Sequence, residues 1–313
     1  MCTGTSSSPA AASIWRNRTT KKMKTAKKKR KKTSSRVSVR VKPGSKKPAP
    51  LVARGEPPVV RVVNPKGKGK YIIVCDHASN RIPKALNNLG LSKADLKKHI
   101  AWDPGTEDIG LHLSRKMDAA AVIAGYSRLV VDLNRGDDHP EIMRPASDHI
   151  RVPGNAGLTA AQRRQRMETF FRPYHGEIAK ALTRFTGKGI APALISIHSF
   201  TPEMDGFKRP WHIGVLWNRQ EKIARALVRN LRRNNPNLVI GENEPYSLKA
   251  TNFLKNTIST HAERKGLPYV IVEFRQDLVD TKKKAVKWAE IFLDSLLPAL
   301  SEPGLHTLGR KRS

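Results

Sequence analysis

In this 313-residue chain two apolar runs end on a histidine: Tyr71–Cys75 leads through Asp76 into His77, and the run from Leu194 leads into His198 and a Ser199-Phe200-Thr201-Pro202 turn. Neutral imidazoles delivered to one edge of a sheet are a ready site for Zn²⁺, whose remaining positions an oxygen ligand and water can fill. A third apolar run, starting at Tyr269, ends on Glu273. A carboxylate there is costly to leave unpartnered, so it either pairs with Arg275 or another nearby cation, or works beside a metal or substrate. A fourth run, starting at Leu129, delivers Asp132, Asn134 and Arg135 together. Arg135 has the planar fork suited to a carboxylate ligand, and its structural alternative is a salt bridge to Asp132 or Asp137. For His77 the alternative is a plain turn, in which Asp76, Ser79 and Asn80 hydrogen-bond backbone and the histidine is incidental.

Other chemistries lack their residues. There is no Gly-x-Ser-x-Gly elbow, and Ser199 has no evident base. Gly67-Lys-Gly-Lys70 precedes a strand instead of joining strand to helix, so it is neither a P-loop nor a dinucleotide fingerprint. The other eight histidines lie in helix or loop contexts typical of surface or packed residues. His261 stands apart because its helix leads into the strand that ends on Glu273.

The elements that must position these groups are short β-branched runs separated by helical periods, the texture of an α/β domain with a largely buried sheet. Strands are expected at 71–75, 121–124, 129–133, 194–198, 211–216, 238–241 and 269–273. Helices are expected at 93–100, 110–117, 159–185 with a kink at Pro173, 221–233, 252–265 and 281–297. In open α/β sheets the loops at strand C-termini bind ligands, which is where all four polar clusters fall. One catalytic domain is expected over 57–300, followed by a flexible tail over 301–313.

The net charge is +33, but residues 1–56 hold 17 Lys/Arg against the single acid Glu56, about half of the excess. That segment, with its KKMKTAKKKRKK run, has almost no large apolar residue and is expected to be a disordered basic tail, capable of non-specific contact with nucleic acid or other polyanions. No apolar stretch approaches the ~20 residues of a bilayer span, and no apolar segment follows the basic run as a signal peptide requires. Two cysteines cannot form a disulfide framework, so a cytoplasmic, reducing location and no membrane association are expected.

The stretches CDHASNRIP, AWDPGTEDIG, VVDLNRG, SIHSFTP and VEFRQDL, in that order, resemble the N-formylglutamate amidohydrolase family over roughly residues 60–300, and more distantly the zinc carboxypeptidases and aspartoacylases. The resemblance implies a single three-layer α/β domain with a mostly parallel or mixed sheet, zinc-carboxypeptidase/phosphorylase-hydrolase-like. It implies His77 and His198 as ligands of one Zn²⁺ or another divalent ion, Asn134 and Arg135 as the seat of a substrate carboxylate, and Glu273 as general base and acid. The distant relatives carry His-x-x-Glu in the first motif where this chain has His77-Ala-Ser-Asn80, so the third ligand is either Asn80 or Asp103. The expected reaction is attack of a metal-activated water on a small N-acyl amino acid bearing a carboxylate, with N-formyl-L-glutamate giving formate and L-glutamate. Two alternatives stand beside it: a deacylase for another N-acyl amino acid, and a polyanion-binding protein working through its tail, whose affinity would fall steeply with salt.

Overall fold

The computed structural model describes residues 49–246 and 256–308. Its centre is a seven-stranded sheet. In chain order the elements are β1 (Val60–Val63), β2 (Tyr71–Cys75), α1 (Thr106–Lys116), β3 (Ala120–Ala124), the short strands β4 (Ala146–Ser147) and β5 (Ile150–Arg151), α2 (Ala160–Arg166), α3 (Arg172–Thr186) and β6 (Ala193–Phe200). There follow β7 (Glu203–Met204), β8 (Phe207–Lys208), β9 (Ile213–Leu216), α4 (Lys222–Asn234), β10 (Ile240–Glu242), α5 (Thr257–His261), β11 (Tyr269–Arg275) and α6 (Lys282–Leu300). The sheet order is β1-β3-β2-β6-β11-β9-β10. The β1/β3 and β11/β9 pairs are antiparallel and the rest parallel, so the expected three-layer α/β domain has a mixed sheet.

Alternation along the strands builds the two outer layers. On β6 and β11, Ile195, Ile197, Val270 and Val272 face the layer of α1, α4 and α6, while Leu194, Tyr269 and Ile271 face α3 and α5. On α4 the buried positions Ile223, Ala224, Leu227, Val228 and Leu231 recur at helical spacing, with arginines between them. Phe292 of α6 is fully buried, and truncating a side chain like it to alanine costs about 3–5 kcal/mol. The helix starts are fixed locally: Thr159 and Gln162 form a capping box, and the Thr281 hydroxyl accepts from Lys284 N, each contributing about 1 kcal/mol.

Between β2 and β6 the winding reverses. The connection from β2 to β3 passes through α1 on one face, and that from β3 to β6 passes through α3 on the other. Such a reversal opens a crevice at the carboxyl ends of the two strands, and His77 and His198 stand at those two ends.

Several expected elements take another form. The 129–133 run is a buried turn, because Ser127 Oγ accepts from Leu129 N and Asp132 N donates to Ile142 O, so its backbone bonds are met outside the sheet. Periodicity cannot distinguish such a segment from a buried strand. Only Asp95–Lys97 is helical within 93–100. The long helix around Pro173 is continuous but carries a π turn at Met167–Phe171 immediately before the proline, where Arg172 N reaches back to Met167 O. Of the expected 252–265 helix, 252–255 lies outside the described residues, and the remainder is α5 plus a 3₁₀ turn at Glu263–Lys265.

The edges of the domain also differ from expectation. Residues 49–56 belong to the folded body: Leu51 and Val52 pack on the core, and the Glu56 carboxylate accepts from Ala53 N and Lys84 N. At the other end Leu305 is buried and the His306 ring lies 2.9 Å from Ala191 O, so 301–308 is anchored. Residues 1–48 and 309–313 lie outside the described residues. Among the described residues no helix is long and apolar enough to cross a membrane.

Candidate functional site

His198 and Glu273 are register partners on the adjacent parallel strands β6 and β11. Because they occupy matched positions, both side chains project on the same face, toward the α3/α5 layer. His77 follows the end of β2, and its ring centroid is 5.1 Å from that of His198. Between them comes Asp103. Its backbone N–H donates to His77 O, and the turn after it is closed by Thr106 Oγ1 donating to Asp103 O and by Gly105 at φ +82°, where a Cβ would meet Val279 O at 2.4 Å.

The Nδ1 atoms of His77 and His198 lie 3.4 and 3.0 Å from the same oxygen, Asp103 Oδ2. Their far nitrogens meet other buried carboxylates: His77 Nε2 is 2.7 Å from Asp132 Oδ1, and His198 Nε2 is 3.4 Å from Asp76 Oδ2. Asp76 is held in turn by Tyr174 OH and Thr257 Oγ1. A carboxylate behind each imidazole fixes the ring and directs the opposite nitrogen inward, the usual arrangement behind metal-binding histidines.

His77, Asp103 and His198 can therefore hold a metal ion: one ligand atom from each lies within 4.8 Å of the others, all three residues are buried, and two imidazoles plus one carboxylate are a donor set that borderline divalent ions accept. The charge balance points the same way. Asp76, Asp103 and Asp132 are all below 5% exposed; Arg128 donates to Asp132 Oδ2 at 2.8 Å and lies 3.6 Å from Asp103 Oδ1, and Arg135 stands farther off, 3.7 Å from Asp132 Oδ2. Burial alone would raise the Asp132 pKa, but Arg128 and His77 hold it well below the usual carboxylate range. Burial opposes charge on His198 as well, yet its hydrogen bonds to Asp103 and Asp76 carry its pKa well above the ordinary imidazole value.

Glu273 behaves differently. It is 7% exposed, its Oε2 has no hydrogen-bond partner, and burial, with Asp103 adding to it against the histidines, raises its pKa to about 7. Among the described residues no ion pair to Glu273 forms: Arg275 turns away to Asp277, with Nε–Oδ1 at 2.8 Å. On its other flank Glu273 pairs with Gly214 of β9, where a Cβ would meet Glu244 O at 2.0 Å. That close approach lets the 244–246 loop bring Tyr246 to the site.

A cavity of about 520 Å³ opens over this cluster, lined among others by His77, Asp103, His198, Glu273, Asn134 and Arg135. The Asn134 Nδ2 group lies 3.4 Å from His198 Nε2, and its Oδ1 accepts from Thr257 N. Arg135 Nε is 3.7 Å from Asp132 Oδ2 and makes no hydrogen bond. Asn80 is not part of the group: its amide donates to Leu96 O and lines a separate cavity with Arg81 and Lys97, because the turn after His77 carries the chain away. His261 does not line the site either, stacking instead on His175 with 2.9 Å between Nε2 and Nδ1. The sequence reading missed the backing roles of Asp76 and Asp132 and the presence of Arg128, Arg144 and Tyr246 in the cavity. Asp76 and Asp132 carry a signal, each lying at the end of an apolar run, but the side of the chain they serve depends on the fold.

The chain is 28% identical over 160 residues to an N-formylglutamate deformylase of Pseudomonas putida, a match spanning 46% of this chain and 58% of that protein. It is 33% identical to a gene product of Agrobacterium tumefaciens of known crystal structure, with a TM-score of 0.75 over 80% of this chain and 98% of that one. The N-formylglutamate amidohydrolase of Ralstonia eutropha shares the fold, at 16% identity and a TM-score of 0.52 over 77% of this chain and 96% of that one. Residues 69–279 match the family model for N-formylglutamate amidohydrolase, and the chain belongs to that family.

Proposed function

We propose that the protein hydrolyses the amide bond of a small N-acyl amino acid, with N-formyl-L-glutamate the preferred substrate, giving formate and L-glutamate. The observation that carries this reading is the placement of a buried Glu273 carboxyl, its Oε2 without a hydrogen-bond partner, beside the His77–Asp103–His198 donor set in a cavity that Arg135 also lines. His77, Asp103 and His198 would hold a zinc ion, which would supply Lewis acidity to polarise an amide carbonyl and acidify water. Asp132 and Asp76 hold the two imidazoles in the required orientation. Glu273 takes a proton from the attacking water and returns it to the leaving nitrogen, for which a carboxyl raised toward neutrality is suited. Arg135 binds the substrate carboxylate and sets its distance from the scissile carbonyl.

The test is metal analysis of the purified protein together with a screen of N-formyl and N-acetyl amino acids. Bound zinc and turnover of a carboxylate-bearing substrate are expected. Arg135→Lys lowers kcat/KM on that substrate by about tenfold or more, because lysine keeps the charge but loses the two-pronged geometry. An equal loss on an amide without a carboxylate would overturn the role given to Arg135.

A further inference from the structure

Three arginines, Arg128, Arg135 and Arg144, line the one cavity over the site. They are not equivalently neutralised. Arg128 is bonded to Asp132, whose two oxygens are thereby taken by Arg128 and His77. Arg135 is left with a 3.7 Å approach to that same carboxylate and a buried Nε without a partner. Arg144 has the Ser147 hydroxyl at 3.3 Å and Glu141 at 3.5 Å, and Glu141 is 59% exposed, so this pair is screened and weak. Two guanidinium groups thus face one cavity with donors to spare.

Their spacing is built in. Arg135 follows the turn at 129–133 and Arg144 follows the 3₁₀ turn Pro140–Met143. Those segments are joined by Asp132 N donating to Ile142 O at 2.8 Å. They are joined again by Asn155, whose amide donates both to Leu129 O at 2.8 Å and to Arg144 O at 2.9 Å. Asn155 is buried and is itself held by Arg166, 3% exposed, which also donates to Gly154 O and Val130 O. An arginine buried to satisfy backbone carbonyls in this way holds the two segments at one separation. Crowding supports the reading, since burial and then the neighbouring Arg128 lower the Arg144 pKa, a situation that an anion relieves.

We infer that Arg144 reads a second carboxylate on the substrate, so that the site selects N-acyl amino acids with an acidic side chain over their amides. The inference rests on the hydrolase reading above. A substrate with one carboxylate satisfies Arg135 and leaves Arg144 unfilled, whereas a dicarboxylate amino acid fills both, and a site built to pair such groups discriminates strongly against the analogue lacking one.

The experiment uses the full chain and two readouts. The first is the ratio of kcat/KM for N-formyl-L-glutamate to that for N-formyl-L-glutamine, in wild type, Arg144→Met and Arg144→Lys. The second is calorimetric titration of the same proteins with L-glutamate and L-glutamine, which needs no turnover. The wild type is expected to favour the acid in both, Arg144→Met to reduce that preference by about tenfold or more, and Arg144→Lys to retain part of it. A ratio unchanged in Arg144→Met, or a wild type indifferent to acid and amide, overturns the inference. If Arg144→Met melts far below the wild type, Arg144→Lys and Arg144→Gln decide by the same ratio. Absence of turnover on every substrate defeats the hydrolase reading alone: a glutamate preference in binding that disappears in Arg144→Met still upholds the second-carboxylate site, and no such preference defeats it.

Discussion

Glu273 and His198 occupy matched register positions on neighbouring parallel strands, and the antiparallel partner on the other side of Glu273 is a glycine, Gly214. The carboxyl and the imidazole are therefore set side by side by the sheet itself, and their separation does not depend on loop conformation. The two side chains are nonetheless separable by substitution.

His77→Ala and His198→Ala are each expected to remove bound zinc and all turnover, since two remaining protein donors hold the ion poorly. Glu273→Gln keeps zinc at wild-type stoichiometry, while kcat falls by about 10²-fold or more because the amide cannot accept a proton. Metal content measured alongside kcat separates the two signatures. Loss of zinc from Glu273→Gln would make the glutamate a ligand and require another base.

The third donor is tested by contrast. Asp103→Ala loses zinc, because its Oδ2 is the atom on which both Nδ1 groups converge. Asn80→Ala keeps zinc, and its effect is limited to about 1 kcal/mol from the lost bond to Leu96 O. Zinc loss in Asn80→Ala with retention in Asp103→Ala would reverse the assignment.

Two truncations locate the start of the folded body. Removing residues 1–48 is expected to leave the melting temperature and turnover unchanged, consistent with the sparse apolar content of that segment. Removing 1–56 also deletes the packing of Leu51 and Val52 and both hydrogen bonds to Glu56. That loss is worth about 1–3 kcal/mol, or several degrees in Tm. Equal stability of the two truncated proteins would show that 49–56 adds nothing.

Burial, then the neighbouring His175 and Lys265, lowers the His261 pKa to about 3. In the unfolded chain the same imidazole titrates at about 6.5. Its folded value is depressed, so the stability it confers is complete above about pH 6.5 and is lost as pH falls toward about 3. By pH 5 the loss is up to about 2 kcal/mol. Urea titrations of chelator-treated protein at pH 7 and pH 5 measure it without a contribution from metal release, and His261→Gln should show the shallower pH dependence. A slope identical to wild type would mean that the histidine is solvated in the folded state.

The layered α/β class and most strands were legible because buried strands are written as contiguous β-branched runs, and helices such as α4 as a 3.6-residue recurrence. The histidines, Glu273 and the Asn134-Arg135 pair were legible for a related reason: each lies where an apolar run stops at a polar residue, and that is where a sheet edge exposes chemistry. What sequence spacing cannot carry is proximity between segments far apart in the chain. Whether Asp103 or Asn80 joined the histidines was left open, and it was decided by a turn after His77 that takes Asn80 toward Leu96 and by the glycine turn that brings Asp103 back. The partner of Glu273 was equally undecided, because Arg275, two residues on and on the same face of the strand, is the nearest cation in sequence, yet Asp277 draws its guanidinium away. The 129–133 run looked like a strand, since burial on all sides produces the same apolar pattern in a turn whose backbone bonds are met by Ser127 and Ile142. The spacing of Arg135 and Arg144 depends on Asn155 and Arg166, residues with no local signal, because a buried polar group serves whichever backbone the fold brings to it.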